Sequence, residues 1–319
     1  MSGIWKQHDY RKGHFETAPF NDDSKRSIYH QRSLEVFRLK QLQAGTSENR
    51  FDIFMSHDWP KGIHQYGDEE YLGRRKPHFV SQMETGSLGS PACAEVLYHL
   101  KPKYWFAAHM HVKFSAEVMH TQKKSDEEKK EPNPLTTRFL ALDKVLPNRD
   151  YLQILTLDDN IPKAALNLLS STYSDSEDEE NSKPDDSVDT SGTSTLPKAS
   201  SLFNDLPGKE EVNIKIYHDA EWLAVLRKTD FLWSDTVQAP RMPTFGVDDV
   251  YEFKATENDI QDVNNRFDND LQIYPEQFIK TCPESNGGIR ADFNPQTYEF
   301  CDKLDICKGL FGREKETDS

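Results

Sequence analysis

Cysteine is scarce in this 319-residue chain, with four residues at positions 93, 282, 301 and 307. None are spaced as Cys-x-x-Cys, which argues against a disulfide framework and for reduced thiols in an intracellular protein. Long apolar runs are missing too. Nothing approaches the roughly 20 residues of a membrane span, so no membrane partner is expected. The amino terminus, with Lys6, His8, Asp9 and Arg11 so early, has no signal-peptide core. Hydrophobic residues make up only 35% against 29% charged, too few for a wholly folded chain, so a disordered portion is expected. No internal repeat is present.

Positive charge is also short, with a net charge of -15, but the deficit is uneven. Residues 1–157 hold 23 Lys+Arg against 20 Asp+Glu, and the rest 16 against 34. The acidity lies in the second half, so phosphate binding by the mildly basic first half stays open.

What is there begins with histidines at the ends of apolar runs. Trp105-Phe-Ala-Ala-His-Met-His-Val-Lys-Phe114 delivers His109 and His111. If the segment is extended, residues i and i+2 point to one side and both imidazoles aim at one place. Phe51-Asp-Ile-Phe-Met55 leads into Ser56-His57-Asp58-Trp59-Pro60. A lone His57 would be read as a structural histidine bonded to a backbone carbonyl. Together the two runs suit a metal site at the edge of a sheet, with His57, His109 and His111 as ligands for zinc, manganese or iron. Asp58 is assigned no ligand role.

Residues 6–32 read as a long polar loop with basic and aromatic side chains: His8, Tyr10, Arg11, Lys12, His14, Phe15, Arg26, Tyr29, His30 and Arg32. Such residues hold phosphates and stack on unpaired bases, though composition alone favours an ordinary solvated loop. Gly13 would permit a tight turn. Ser33–Leu39 alternates like a half-buried strand. Tyr66 to Pro77 reads as a charged connection in which Arg74-Arg75-Lys76 is a phosphate contact or a solvated face. Ser90 caps a predicted helix over Pro91–Leu100, with Ala92, Val96, Leu97 and Leu100 as its apolar stripe. A strand continues past Phe114 through Val118, and 121–134 is an exposed hairpin tip or insertion. Two closing strands are expected at 138–142 and 151–157. The acidic, Ser/Thr-rich stretch after Asp158 cannot bury enough apolar surface to fold. Order resumes near 212–217, Asp219 caps a helix carrying Trp222, Leu223, Val225 and Leu226, and short helices are expected over 251–300.

Several stretches resemble the RNA lariat debranching enzymes, within the calcineurin-like metallophosphoesterase superfamily. They are Ser2–Glu16, Arg26–His30, Ser56–Pro60, Ala108–Phe114, Phe139–Lys144, Asp219–Arg227 and Asn294–Phe300. The combination is specific, because the wider superfamily shares only the histidine pieces. The chain departs from the family in lacking an Asp-x-His or Cys-x-His element and a Gly-Asn-His-Glu segment. The expectation is therefore an N-terminally truncated product.

The resemblance implies an α/β (α+β) fold: the C-terminal part of a four-layer metallophosphoesterase β-sandwich with flanking helices over 1–157. An acidic disordered linker over 158–208, a small, mostly helical C-terminal domain over 209–310 and a tail over 311–319 would follow. It implies metal-dependent hydrolysis of the 2′-5′ phosphodiester at the branch point of intron lariats during pre-mRNA splicing, in the nucleus with or without shuttling to the cytoplasm. His57, His109 and His111 match family metal ligands. The segment 6–32 matches the loop that shapes the lariat site, which assigns RNA contact to His8, Tyr10, Arg11, Lys12, His14, Phe15, Arg26, Tyr29 and His30. No residue is assigned a catalytic role, because the family's residues for it lie in the missing motifs. The family's two-metal site would be incomplete and the chain alone weak or inactive. Branched intron RNA and splicing-associated proteins are the expected partners. The alternatives are a non-catalytic RNA- or partner-binding remnant and a general metallophosphoesterase.

Overall fold

The computed structural model describes residues 1–120, 134–155, 157, 215–244, 253–280 and 294–306. The acidic stretch expected to be unfolded, the hairpin tip at 121–133 and the tail lie outside the described residues.

The His57 and His109 runs form neighbouring parallel strands. β1 is Ile53–Met55 and β2 is Tyr104–Ala107, paired in the register Phe54 with Trp105. β3, Phe114–His120, and β4, Leu135–Ala141, complete a four-stranded sheet of order β1-β2-β4-β3. β4 runs parallel to β2 and antiparallel to β3. The period of two is plain in β3, where Phe114, Ala116, Val118 and His120 are buried and the residues between them are exposed.

Between β1 and β2 the chain forms three helices: α3 at Glu69–Arg75, α4 at Val80–Glu84 and α5 at Pro91–Leu100. They follow α1, Asp22–Ser27, and α2, Ser33–Leu39. α5 is built as its sequence predicts. The Ser90 hydroxyl accepts the Cys93 N–H, Pro91 needs no amide partner in the first turn, and Lys101 ends the helix in the left-handed region. Ala92, Cys93, Val96, Leu97 and Leu100 then pack with Trp59, Trp105, Phe114 and Phe139 in the main core.

Three sequence expectations are corrected. Ser33–Leu39 is not a strand but a helix, α2. Its residues are all buried or half-buried, so its side chains have no solvent face to betray a helical period. The segment 6–32, read as one long polar loop, contains helix α1 (Asp22–Ser27) and buries Asp9, Ser27, His30 and Arg32. The second closing strand at 151–157 is absent among the described residues. Leu152 and Ile154 are exposed, and β4 already occupies the interior slot between β2 and β3. The charged connection at 66–77 holds α3, with Asp68 accepting the Tyr71 N–H as its cap.

The C-terminal part has α6 (Ala220–Lys228), α7 (Glu257–Arg266), α8 (Pro295–Leu304) and a small antiparallel pair, β5 (Ile216–Tyr217) with β6 (Gln272–Ile273). Asp219 caps α6 through the Trp222 N–H. This helix serves two cores: Leu223 and Ala224 pack with Val263, Phe267 and Leu304, while Val225 joins the main core. Residues 1–152 and those from 215 onward form one compact unit, joined by bonds such as Arg38 Nε to Thr229 Oγ1 at 2.9 Å.

His120, at the end of β3, makes this unit acid-sensitive. Its Nε2 meets Thr137 Oγ1 at 2.8 Å, and that hydroxyl donates to the Pro102 carbonyl. The ring therefore donates from Nε2 in the neutral form. Burial, reinforced by Lys101 and Arg50, pushes its pKa down to about 4 from 6.5. The unfolded chain takes up the proton first, so stability present above pH 6.5 is lost as pH falls towards 4. At pH 5 the loss should be about 2 kcal/mol relative to pH 7. Urea unfolding at the two pH values measures it, and His120→Gln, which keeps a donor for Thr137, should flatten the difference. An equal pH dependence in the variant would show that other groups dominate.

Candidate metal and nucleic-acid site

The parallel pairing carries both histidine turns to the same end of the sheet, past the carboxyl ends of adjacent strands. His109 Nδ1 lies 3.1 Å from His57 Nε2, with the rings edge to face at 5.0 Å. The turns brace each other. Trp59, after His57, donates its indole N–H to the Ala108 carbonyl at 2.8 Å. Trp105, before His109, donates its own to the Ser56 hydroxyl at 2.8 Å. The Ala108 N–H donates to the His57 carbonyl. Asp58 is spent on the backbone, accepting the Trp59 N–H at 2.8 Å and the Trp5 N–H at 3.2 Å. It ties the start of the chain to the His57 turn.

His109 and His111 do not share a strand face. β2 ends at Ala107, and both residues sit at positive φ, 56° and 50°. The extended-strand argument for a shared aim therefore fails, because a left-handed turn breaks the alternation. His57 and His109 are brought together, while His111 stands exposed. Desolvation holds the His109 pKa below its ordinary value, with His57 and Lys6 pushing the same way and Asp58 opposing. The neutral imidazole favoured there has a lone pair for a metal. His111 is also lowered, by burial first and then by Lys144 and Lys76. Lys76 is in turn near Lys144, Arg75 and Arg149, the last of which pairs with Asp143 at 3.2 Å, so a mixed charged group lies beside His111. Lys144 and Arg149 were missed as members; the run Arg74-Arg75-Lys76 was the one signal of it in the sequence.

The loop 6–32 is held from inside. Arg32 donates to the Gly13, His30 and Ser27 carbonyls, to the Ser27 hydroxyl and to Glu16 Oε1 at 2.5 Å. It is buried and holds no phosphate-ready surface. Gly13 is needed for close approach, not for a turn: a Cβ there would meet the Ser234 and Thr236 carbonyls at 2.5 Å, and the next amide, at His14, bonds Ser234. The RNA-contact candidates divide accordingly. His8, Arg11, Arg26 and Tyr29 are exposed. Lys12 pairs with Asp9 and lies over the Phe15 ring. His14 pairs with Glu35 at 2.6 Å, and Tyr10 is half-buried with its pKa raised, by burial first. His30 is buried against Asp9.

Residues 134–308 match the family described as the lariat debranching enzyme, C-terminal domain. The chain belongs to the lariat debranching enzyme family. The chicken lariat debranching enzyme is 38% identical over 309 residues, covering 94% of this chain and 46% of the relative. The human lariat debranching enzyme is 37% identical over 314 residues, 96% of this chain and 47% of the relative. The Arabidopsis thaliana lariat debranching enzyme reaches 46% identity over 158 residues, 50% of this chain and 34% of the relative. The chain thus spans about half the length of the vertebrate lariat debranching enzymes it matches.

Proposed function

We propose that this chain serves RNA lariat debranching, the metal-dependent hydrolysis of the 2′-5′ phosphodiester at the branch point of excised introns. The observation that carries the reading is the facing His57–His109 pair, at the carboxyl ends of two parallel strands, in a chain whose basic-aromatic loop is rigidly anchored. The donor set fits one cation of the manganese, iron or zinc kind: two imidazole nitrogens close together, one of them in a ring whose neutral form desolvation favours. His57 and His109 would hold it, with His111 as the third family-type ligand. When bound, such an ion polarises a phosphate oxygen and lowers the pKa of its water. Among the described residues, Asp58, the acid next to His57, has both oxygens engaged by backbone amides, which does not suit a bridging role in a two-metal site. The residues themselves orient the substrate. The exposed Arg11 and Arg26 face phosphates, Tyr29 offers a stacking face, and Lys76 and Lys144 extend the positive surface past His111. We further assign the sheet to one half of the family's four-layer sandwich and the activity to the nucleus, alongside splicing-associated proteins.

The engagement of Asp58 favours a second reading for the chain alone, an RNA-binding unit without turnover. Depleting the gene product should raise intron lariat levels, and unchanged levels would overturn the debranching reading. The purified chain should bind branched RNA more tightly than linear RNA and cleave it poorly with manganese, iron or zinc. Robust cleavage abolished by His109→Ala would show that the three histidines suffice and would remove the second reading.

A further inference from the structure

We propose that His8, Asp9 and His30 form a second divalent-cation site, best suited to zinc, that closes the loop running from residue 8 to residue 30. Among the described residues, this is the group of three whose ligand atoms all lie within 4.8 Å of one another. Asp9 Oδ2 is 2.7 Å from His30 Nδ1 and 3.2 Å from His8 Nε2. In a tetrahedral zinc site with bonds of about 2.0–2.1 Å, neighbouring donor atoms stand roughly 3.3–3.4 Å apart. The His8 contact is already there, and the His30 contact needs to open by about half an ångström. Two imidazole nitrogens and one carboxylate oxygen suit a borderline ion, and they are too few oxygens for calcium or magnesium.

The surroundings are those of a prepared ligand. The Ser27 hydroxyl donates to Asp9 Oδ2 at 2.9 Å, and Lys12 donates to Oδ1 at 2.9 Å. These bonds fix the carboxylate, as outer partners of metal ligands do. Burial opposes ionisation of Asp9, yet hydrogen bonds from His30, Lys12 and Ser27 outweigh it and hold its pKa well below the usual carboxylate range. The carboxylate is buried, as is His30, while the His8 side chain is 67% exposed. An ion therefore enters from the His8 side, where a fourth position faces water. The rings of His8 and His30 meet edge to face at 5.7 Å, flanking the one oxygen they share. Binding would cross-link the two ends of a segment that carries Arg11, Arg26 and Tyr29. The site stands on its own geometry and does not depend on the chain acting on RNA.

The test is a calorimetric titration of the metal-free 319-residue chain with zinc chloride, beside His8→Ala and the double variant His57→Ala/His109→Ala. His8 is exposed, so its loss should leave the metal-free melting temperature unchanged. The expected result is that His8→Ala loses one zinc equivalent or weakens it about tenfold or more, and that the double variant retains that equivalent. Zinc should also raise the melting temperature of the native chain more than that of His8→Ala. Unchanged stoichiometry and affinity in His8→Ala would overturn the proposal, as would zinc uptake that vanishes wholly in the double variant while that variant stays folded. Should the double variant misfold, X-ray absorption on the zinc-loaded native chain and on His8→Ala decides: loss of one histidine from the zinc shell supports the site, and identical spectra reject it.

Discussion

Replacing Arg32 with alanine should lower the unfolding free energy by about 3–5 kcal/mol. The guanidinium is 1% exposed and its partner Glu16 is 4% exposed, so truncation leaves a buried carboxylate with its cation gone. It also strips donors from three carbonyls and the Ser27 hydroxyl, and removes the face that lies over the Phe15 ring. Lysine would not rescue it, because one ammonium cannot span the planar fork of contacts. The double change Arg32→Met with Glu16→Gln should be milder than Arg32→Ala, since it removes both charges together. Denaturant unfolding of the three proteins measures this, and protease sensitivity of residues 6–32 reports whether the loop is released. A loss below about 1 kcal/mol for Arg32→Ala would place the pair in the weak class of exposed salt bridges and sink the claim that it anchors the loop.

Trp59→Ala should cost a similar 3–5 kcal/mol for a different reason. The indole is fully buried, stacks on Phe114 at 5.2 Å and meets Phe139 edge-on at 5.2 Å. Its removal opens a cavity between the sheet and α5. Trp59→Phe separates packing from bonding: it keeps much of the aromatic contact but loses the indole bond to the Ala108 carbonyl, which still accepts the Met110 N–H at 2.7 Å, so the bond itself should cost about 0.5–1.5 kcal/mol. Because Ala108 precedes His109, the phenylalanine variant should also loosen the His57–His109 contact. Histidine NMR of the two rings would show it. If Trp59→Phe leaves both stability and the ring signals unchanged, the indole bond does not position His109.

Local signals in the chain were read well where one short-range rule decides. Ser90 before Pro91 and Asp219 before Ala220 are caps whose bonds close within three residues, so no distant partner was needed to foresee α5 and α6. The strand expected past Phe114 through Val118 forms as β3, with one face on the core and the other in water. The family was legible for the same reason, since its motifs are contiguous.

Ser33–Leu39 shows where such rules stop. Half-buried or buried throughout, it keeps an apolar-polar alternation that suits a strand, and tertiary packing makes it a helix. The histidines show it again: their residue types marked a metal-type cluster, but left-handed turns at 109 and 111 pair His109 with His57, 52 residues away, and leave His111 exposed. Sequence by itself determined the caps, the continued strand past Phe114, the uneven charge and the family. Only the tertiary structure decided that Arg32 is a buried anchor, that Gly13 lets the backbone at Ser234 approach, and that Asp9 gathers His8, His30 and Lys12. The physical reason is that a buried charge or a missing Cβ takes its meaning from partners far along the chain, and those distances are set by packing, not by spacing.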